Sequence, residues 1–206
     1  MQNEESPFIV IYDSMLALEL PVKSLLVLAL VHGYSRNADG WFCYKYKIAE
    51  RLRMQPSGVS RALNCLRSGG LITESWDGNG YRLETPSETD YSGPFIVVYD
   101  WMLDRYLAGR ELLVYALIYG FNKYGKGCFG RREWIGKRLS ISNPGKVIVS
   151  LKKKGLVREI YKPDGSPVLV TMLKQCYDER KPHNLSKRPI SAYRNDLFQL
   201  IKTTDK

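Results

Sequence analysis

Histidine is nearly absent from this chain, which has only His32 and His183, and cysteine is sparse, at positions 43, 65, 128 and 176. No two cysteines form a C-x-x-C pair and no histidine lies near one, so the spacing argues against a zinc site. The expectation is reduced, partly buried thiols. Long apolar runs are missing too. The longest, Leu25 to Val31, falls far short of the ~20 residues a membrane span needs. The start, Met1-Gln2-Asn3-Glu4-Glu5, is acidic and polar and does not read as a secretory signal, so a cytoplasmic protein away from membranes is expected. Phosphate loops are absent as well: Gly125-Lys126-Gly127 and Gly145-Lys146-Val147 lack both the spacing and the Ser/Thr of that motif. The two histidines leave no local pair for metal-dependent nicking. Tyr193, near Arg188 and Arg194, is one of 14 tyrosines, and nothing else marks it as a nucleophile. The expectation is therefore no enzyme, no cofactor, no metal and no evident small-molecule ligand.

What is present begins with charge. Across 206 residues, 31 Lys and Arg face 21 Asp and Glu, a formal charge of +10. Such an excess points toward a polyanion, most often nucleic acid. At 44% hydrophobic and 25% charged residues the composition is globular. The charge is unevenly spread. Residues 1–93 are net −2, residues 94–173 net +8 and residues 174–206 net +4.

The chain also repeats itself. Pro7-Phe8-Ile9-Val10-Ile11-Tyr12-Asp13 returns 87 positions later as Pro94-Phe95-Ile96-Val97-Val98-Tyr99-Asp100, and Leu25-Leu26-Val27-Leu28-Ala29-Leu30 as Leu112-Leu113-Val114-Tyr115-Ala116-Leu117. Between Pro7 and Tyr34, 15 of 28 aligned residues are identical. A period this long is a duplicated domain, not a solenoid unit. The division expected is a first domain over 1–83, a polar linker over 84–93, a second domain over 94–173 and a basic tail over 174–206. In the tail, residues 191–202 have the apolar spacing of a short amphipathic helix.

Each copy predicts the same order of elements. An extended apolar stretch precedes a helix with apolar residues at 3.6 spacing, which a glycine (Gly33 or Gly120) stops. A short strand at 40–42 or 127–129, a second helix and a third helix opened by Pro56 or Pro144 come next. A two-stranded hairpin closes the copy. The predicted fold class is α+β, mainly helical.

This order resembles a winged helix-turn-helix domain, and the residues that carry the resemblance are Ile48-Ala49-Glu50-Arg51-Leu52-Arg53-Met54-Gln55-Pro56-Ser57-Gly58-Val59-Ser60-Arg61-Ala62-Leu63, then Leu66 and Gly69-Gly70-Leu71-Ile72. Ala49 and Gly136 fill the small-residue slot between the two helices. Arg53 and Ser140 stand where the family often has glycine. The resemblance implies two tandem winged helix-turn-helix domains and a double-stranded DNA partner. Val59, Ala62, Leu63 and Leu66 fall at core spacing, leaving Ser57, Gly58, Ser60, Arg61 and Asn64 as the base-reading face, since short polar side chains let a helix approach base edges. In the second copy the third helix is three residues shorter and more apolar, which suits phosphate contact. Arg131, Arg132, Lys137, Lys146, Lys152, Lys153, Lys154, Arg158 and Lys162 are the candidates to hold phosphates. Tandem winged helices of this size are similar to two bacterial groups, transcription regulators and the replication initiators or replisome organisers of plasmids, phages and mobile elements. The second would imply a homodimer or a replication-protein partner. A third reading is a protein-interaction module, with Trp41, Tyr44 and Tyr46 as surface aromatics. A ten-residue linker reaches at most about 33–36 Å, enough to span successive major grooves of a direct or an inverted repeat.

Overall fold

A computed structural model of the chain describes residues 7–35, 45–76, 81–86, 91–105, 107, 109–124, 127–128 and 132–172. The tail helix expected over 191–202, Arg131 and the strand expected at 40–42 lie outside the described residues.

The protein is α+β, with helices joined to small antiparallel sheets. The first copy runs β1 (Phe8–Tyr12), a single-turn α1 (Asp13–Leu16), α2 (Val22–Ser35), α3 (Lys45–Arg51), α4 (Pro56–Ser68) and a hairpin of β2 (Thr73–Trp76) and β3 (Tyr81–Glu84). The second repeats it as β4 (Phe95–Tyr99), α5 (Asp100–Leu103), α6 (Gly109–Tyr124), α7 (Arg132–Arg138), α8 (Pro144–Lys153), β5 (Val157–Tyr161) and β6 (Pro167–Thr171). Cys128 adds a one-residue bridge to Leu169, its N–H donating at 3.1 Å and its carbonyl accepting at 3.0 Å.

Two features depart from the sequence reading. Glycine does not end the long helices: α2 continues past Gly33 to Ser35, and α6 past Gly120 to Tyr124. An interior glycine costs only about 1 kcal/mol, less than the packing that holds these helices. Residues Ser24–His32 and Glu111–Ile118 are buried without a break. Each long helix is therefore enclosed all round by its own copy's strand, third helix and hairpin, and a helix enclosed on all sides is apolar on all sides.

The second departure concerns the linker, and it accompanies a pairing of β1 and β4 that the sequence reading left open. These strands do not pair within their own copies; they pair antiparallel with each other, from Phe8↔Tyr99 to Tyr12↔Phe95, centred on Val10↔Val97. Ile9, Ile11, Ile96 and Val98 are buried beneath this ribbon. The ends of the stretch expected to be a linker also pack down. Thr85 N–H donates to Ser35 Oγ at 3.2 Å, and His32 Nδ1 lies 3.3 Å from Thr85 Oγ1. Tyr91 stacks edge-on against the His32 ring at 5.0 Å, and burial pushes its phenol pKa up.

Candidate nucleic-acid interface

The geometry starts at the turn between the second and third helices of each copy. After α3, Met54 N–H donates to Ala49 O at 2.9 Å; after α7, Ile141 N–H donates to Gly136 O at 2.8 Å. Arg53 and Ser140, the equivalent residues in these turns, both adopt φ 51. The turn thus takes the left-handed conformation that suits glycine although neither copy supplies one, at a cost of roughly 1–2 kcal/mol. Arg53 offsets part of this with its side chain, whose Nε donates to Asp104 Oδ1 at 2.8 Å and Nη1 to Glu50 O at 3.0 Å. The small-residue slot is real in the second copy. A Cβ on Gly136 would lie 2.9 Å from Ile141 O and 3.0 Å from Pro144 Cγ. The first copy accepts Ala49 there, buried.

Packing of this turn fixes which face of α4 is outward. Val59, Ala62, Leu63 and Leu66 are buried, at the positions that helical spacing predicts. Ser57, Arg61, Asn64 and Ser68 are exposed and Ser60 is half-buried. These positions recur every three to four residues and so form one stripe. Within the stripe Arg61 Nε donates to Ser57 O at 3.4 Å, Ser68 Oγ to Asn64 O at 2.9 Å and Arg67 Nη1 to Asn64 Oδ1 at 3.3 Å. Gly58 is a correction. It was expected on the outer face, but it is buried, because positions 58, 62 and 66 share one ridge four residues apart. A Cβ there would come within 4.0 Å of Lys23 Nζ.

The second copy is built the same way with a shorter third helix, 10 residues in α8 against 13 in α4. Asn143 caps it, its Oδ1 accepting from Lys146 N–H at 3.1 Å. Arg132 lies along the first turn of α8, since a Cβ on Gly145 would be 4.0 Å from Arg132 Cδ. Arg132, Lys137, Lys146, Lys153 and Arg158 are exposed and form no ion pair with another described residue. Lys162 is exposed beside the hairpin turn. There Ser166 donates through both N–H and Oγ to Asp164 Oδ1, at 2.8 and 2.6 Å, and holds that carboxyl below its usual pKa.

Two lysines of the Lys152-Lys153-Lys154 run have acidic partners within the fold. Lys152 pairs with Glu159 on β5. Lys154 Nζ donates to Glu111 Oε2 on α6 at 2.6 Å. Successive helical residues diverge by about 100°, so one face cannot present all three; Lys153 and Lys154 are both exposed, and of the three only Lys153 has no ion pair among the described residues. Other cations of this copy are likewise occupied. Arg138 pairs with Asp13 at 3.1 Å and covers the Trp134 ring, and Lys123 Nζ sits 4.5 Å from the Tyr99 ring centroid.

Two features of the surface went unread in the sequence. Lys23, near the start of α2, is exposed and brings its ammonium group beside the first turn of α4. The repeat keeps a basic residue at its counterpart, Arg110, which was the available signal. The first strand of each hairpin also ends on an exposed aromatic, Trp76 at 62% and Tyr161 at 70%. Aligning the hairpins on Gly70 and Gly155 superposes these two residues and would have found them. Comparison with models of known protein families finds no match, and comparison with curated proteins finds no significant match.

Proposed function

We propose that the protein binds double-stranded DNA selectively through two tandem winged helix-turn-helix domains, as a transcription regulator does. The observation that carries this reading is the α4 stripe of Ser57, Ser60, Arg61 and Asn64. It is short, polar and outward, on a helix held by a tight turn against α3. An arginine and an asparagine on such a stripe have the donor and acceptor geometry that reads guanine and adenine edges in the major groove. In the second copy, Arg132, Lys137, Lys146, Lys153 and Arg158 supply outward cations with no competing carboxylate among the described residues. The first copy does most of the base reading, and the second holds the backbone more than it reads bases.

The test is a selection from random duplex at fixed salt, repeated with Arg61→Ala plus Asn64→Ala. The expected result is an enriched motif that loses information at specific base pairs in the double variant. Equal, weak binding of random and selected duplexes would overturn the reading. Replacing the five outward cations should weaken all duplexes alike. It should also flatten the dependence of log K on log salt by about 0.9 for each phosphate that the variant no longer neutralises.

A further inference from the structure

Most contacts between the two copies come in reciprocal pairs; Arg53–Asp104 is an exception, because the counterpart of Arg53 is Ser140. Asp13 N–H donates to Pro94 O at 2.8 Å, and Asp100 N–H, its counterpart, donates to Pro7 O at 3.0 Å. Asp13 pairs with Arg138, while Asp100 pairs with Arg51, and these residues are again counterparts across the repeat. In the strand ribbon, Phe8↔Tyr99 is matched by Tyr12↔Phe95, and Ile9↔Val98 by Ile11↔Ile96. Two positions meet their own counterparts. Val10 lies opposite Val97, and Val22 packs against Gly109 so closely that a Cβ there would sit 2.8 Å from Val22 Cβ.

An arrangement in which i touches j' and j touches i' is the signature of a two-fold axis. The operation that carries copy one onto copy two also carries copy two back onto copy one. The axis passes between Val10 and Val97 and between residues 22 and 109. A head-to-tail arrangement of the copies would give none of these reciprocal pairs. Arg51 and Arg138 end α3 and α7, so each pair ties the helix-turn-helix of one copy to the first turn of the other copy's short helix. The third helices are thereby held in a two-fold relation, not left free on a tether.

We infer that the DNA target is an imperfect inverted repeat whose two unequal half-sites are bound by a single chain. This rests on the duplex-binding reading above. A duplex has its own two-fold axes perpendicular to its length, and a two-fold protein contacting it on both sides of such an axis meets half-sites in opposite orientation. The half-sites are unequal because the helices facing them differ. α4 offers Ser57, Arg61 and Asn64, whereas the exposed residues of α8 include Lys146, Val149 and Lys153. One half-site is read closely and the other loosely. The two copies within one chain already supply both halves of the two-fold arrangement, so one chain suffices to meet both half-sites.

The experiment uses the full chain. A motif is selected from random duplex, and native mass spectrometry of the selected complex counts chains per duplex. Duplexes with the weaker half-site reversed, or moved to a direct repeat, are then compared at fixed salt. The expected result is an inverted motif, one chain per duplex, and a loss of at least about tenfold in affinity on reversal. A direct repeat, a lone half-site, indifference to reversal, or two chains on one inverted site would overturn the inference and leave DNA binding standing. If no motif is enriched over random duplex, the duplex-binding reading itself falls, and the inference with it.

Discussion

Lys154→Ala tests whether this lysine serves the fold instead of a ligand. Glu111 is 8% exposed in the first turn of α6 and accepts hydrogen bonds from Ser150 Oγ and Lys154 Nζ, both at 2.6 Å. Its place near a helix N-terminus helps the negative charge, and Ser150 of α8 and Lys154 just beyond it both bind the carboxylate. A hydrogen bond to a charged group contributes about 1.5–3 kcal/mol. The Lys154 side chain is 42% exposed, so water replaces part of what is removed. The expected destabilisation is therefore about 1–2 kcal/mol, lower than for a fully buried pair. Lys153 is exposed and without an ion pair among the described residues, so Lys153→Ala should fall within about 0.5 kcal/mol of the parent. Urea unfolding followed by circular dichroism separates the two. Lys154→Met combined with Glu111→Gln should recover much of the loss, because the buried charge is gone. The DNA phenotype should be inverted, with Lys153→Ala flattening the salt dependence more than Lys154→Ala does. Equal stability of the two single variants, or a larger loss from Lys153→Ala, would refute the assignment.

Four further expectations concern stability, each read as a change in urea midpoint at constant slope. Tyr115 is fully buried, its pKa is pushed up by that burial, and its hydroxyl finds no hydrogen-bond partner among the described residues; its counterpart is Leu28. Tyr115→Phe should stabilise by about 1 kcal/mol, and a loss would reveal a partner for the hydroxyl. Ser140→Gly should gain about 0.5 kcal/mol, because relief at φ 51 slightly exceeds the entropy that glycine loses on folding; a loss above about 0.5 kcal/mol would contradict this. Gly136→Ala should cost about 1 kcal/mol. Its Cβ would collide with Ile141 O at 2.9 Å, and overpacking outweighs the gain in helix propensity. Ala49→Gly should also cost about 1 kcal/mol, since that slot already holds a Cβ. A gain from either substitution would mean that the two turns do not differ as described.

Much of the architecture was legible because the chain aligns with itself. The order of strand, helix, helix, helix and hairpin in each copy followed from apolar spacing, from Pro56 and Pro144 at helix starts and from Gly70 and Gly155 at helix ends. The buried set Val59, Ala62, Leu63 and Leu66 followed from the same 3.6 period. Less of the candidate site was legible. A list of cations cannot distinguish Lys153, which faces out, from Lys152 and Lys154, whose acidic partners lie 7 and 43 residues away in the chain. Gly58 was misjudged because a glycine adds nothing to a hydrophobic pattern, whichever face it occupies. Positions 53 and 140 read as departures from a glycine turn, yet they adopt the glycine conformation because the packing of two helices fixes the turn between them.

The sequence by itself determined that there are two equivalent units, what each is made of and which of them carries the positive charge. All of these are local or periodic properties. Only the tertiary structure decided how the units are joined. Phe8–Tyr12 and Phe95–Tyr99 are near-identical strands, and nothing local tells a strand whether to pair with its own copy, its twin or another chain. Antiparallel pairing of like with like, closed by Asp13–Arg138 and Asp100–Arg51, buries the inner face of both strands at once and pairs their facing edges within one molecule. That is a long-range choice, made by packing.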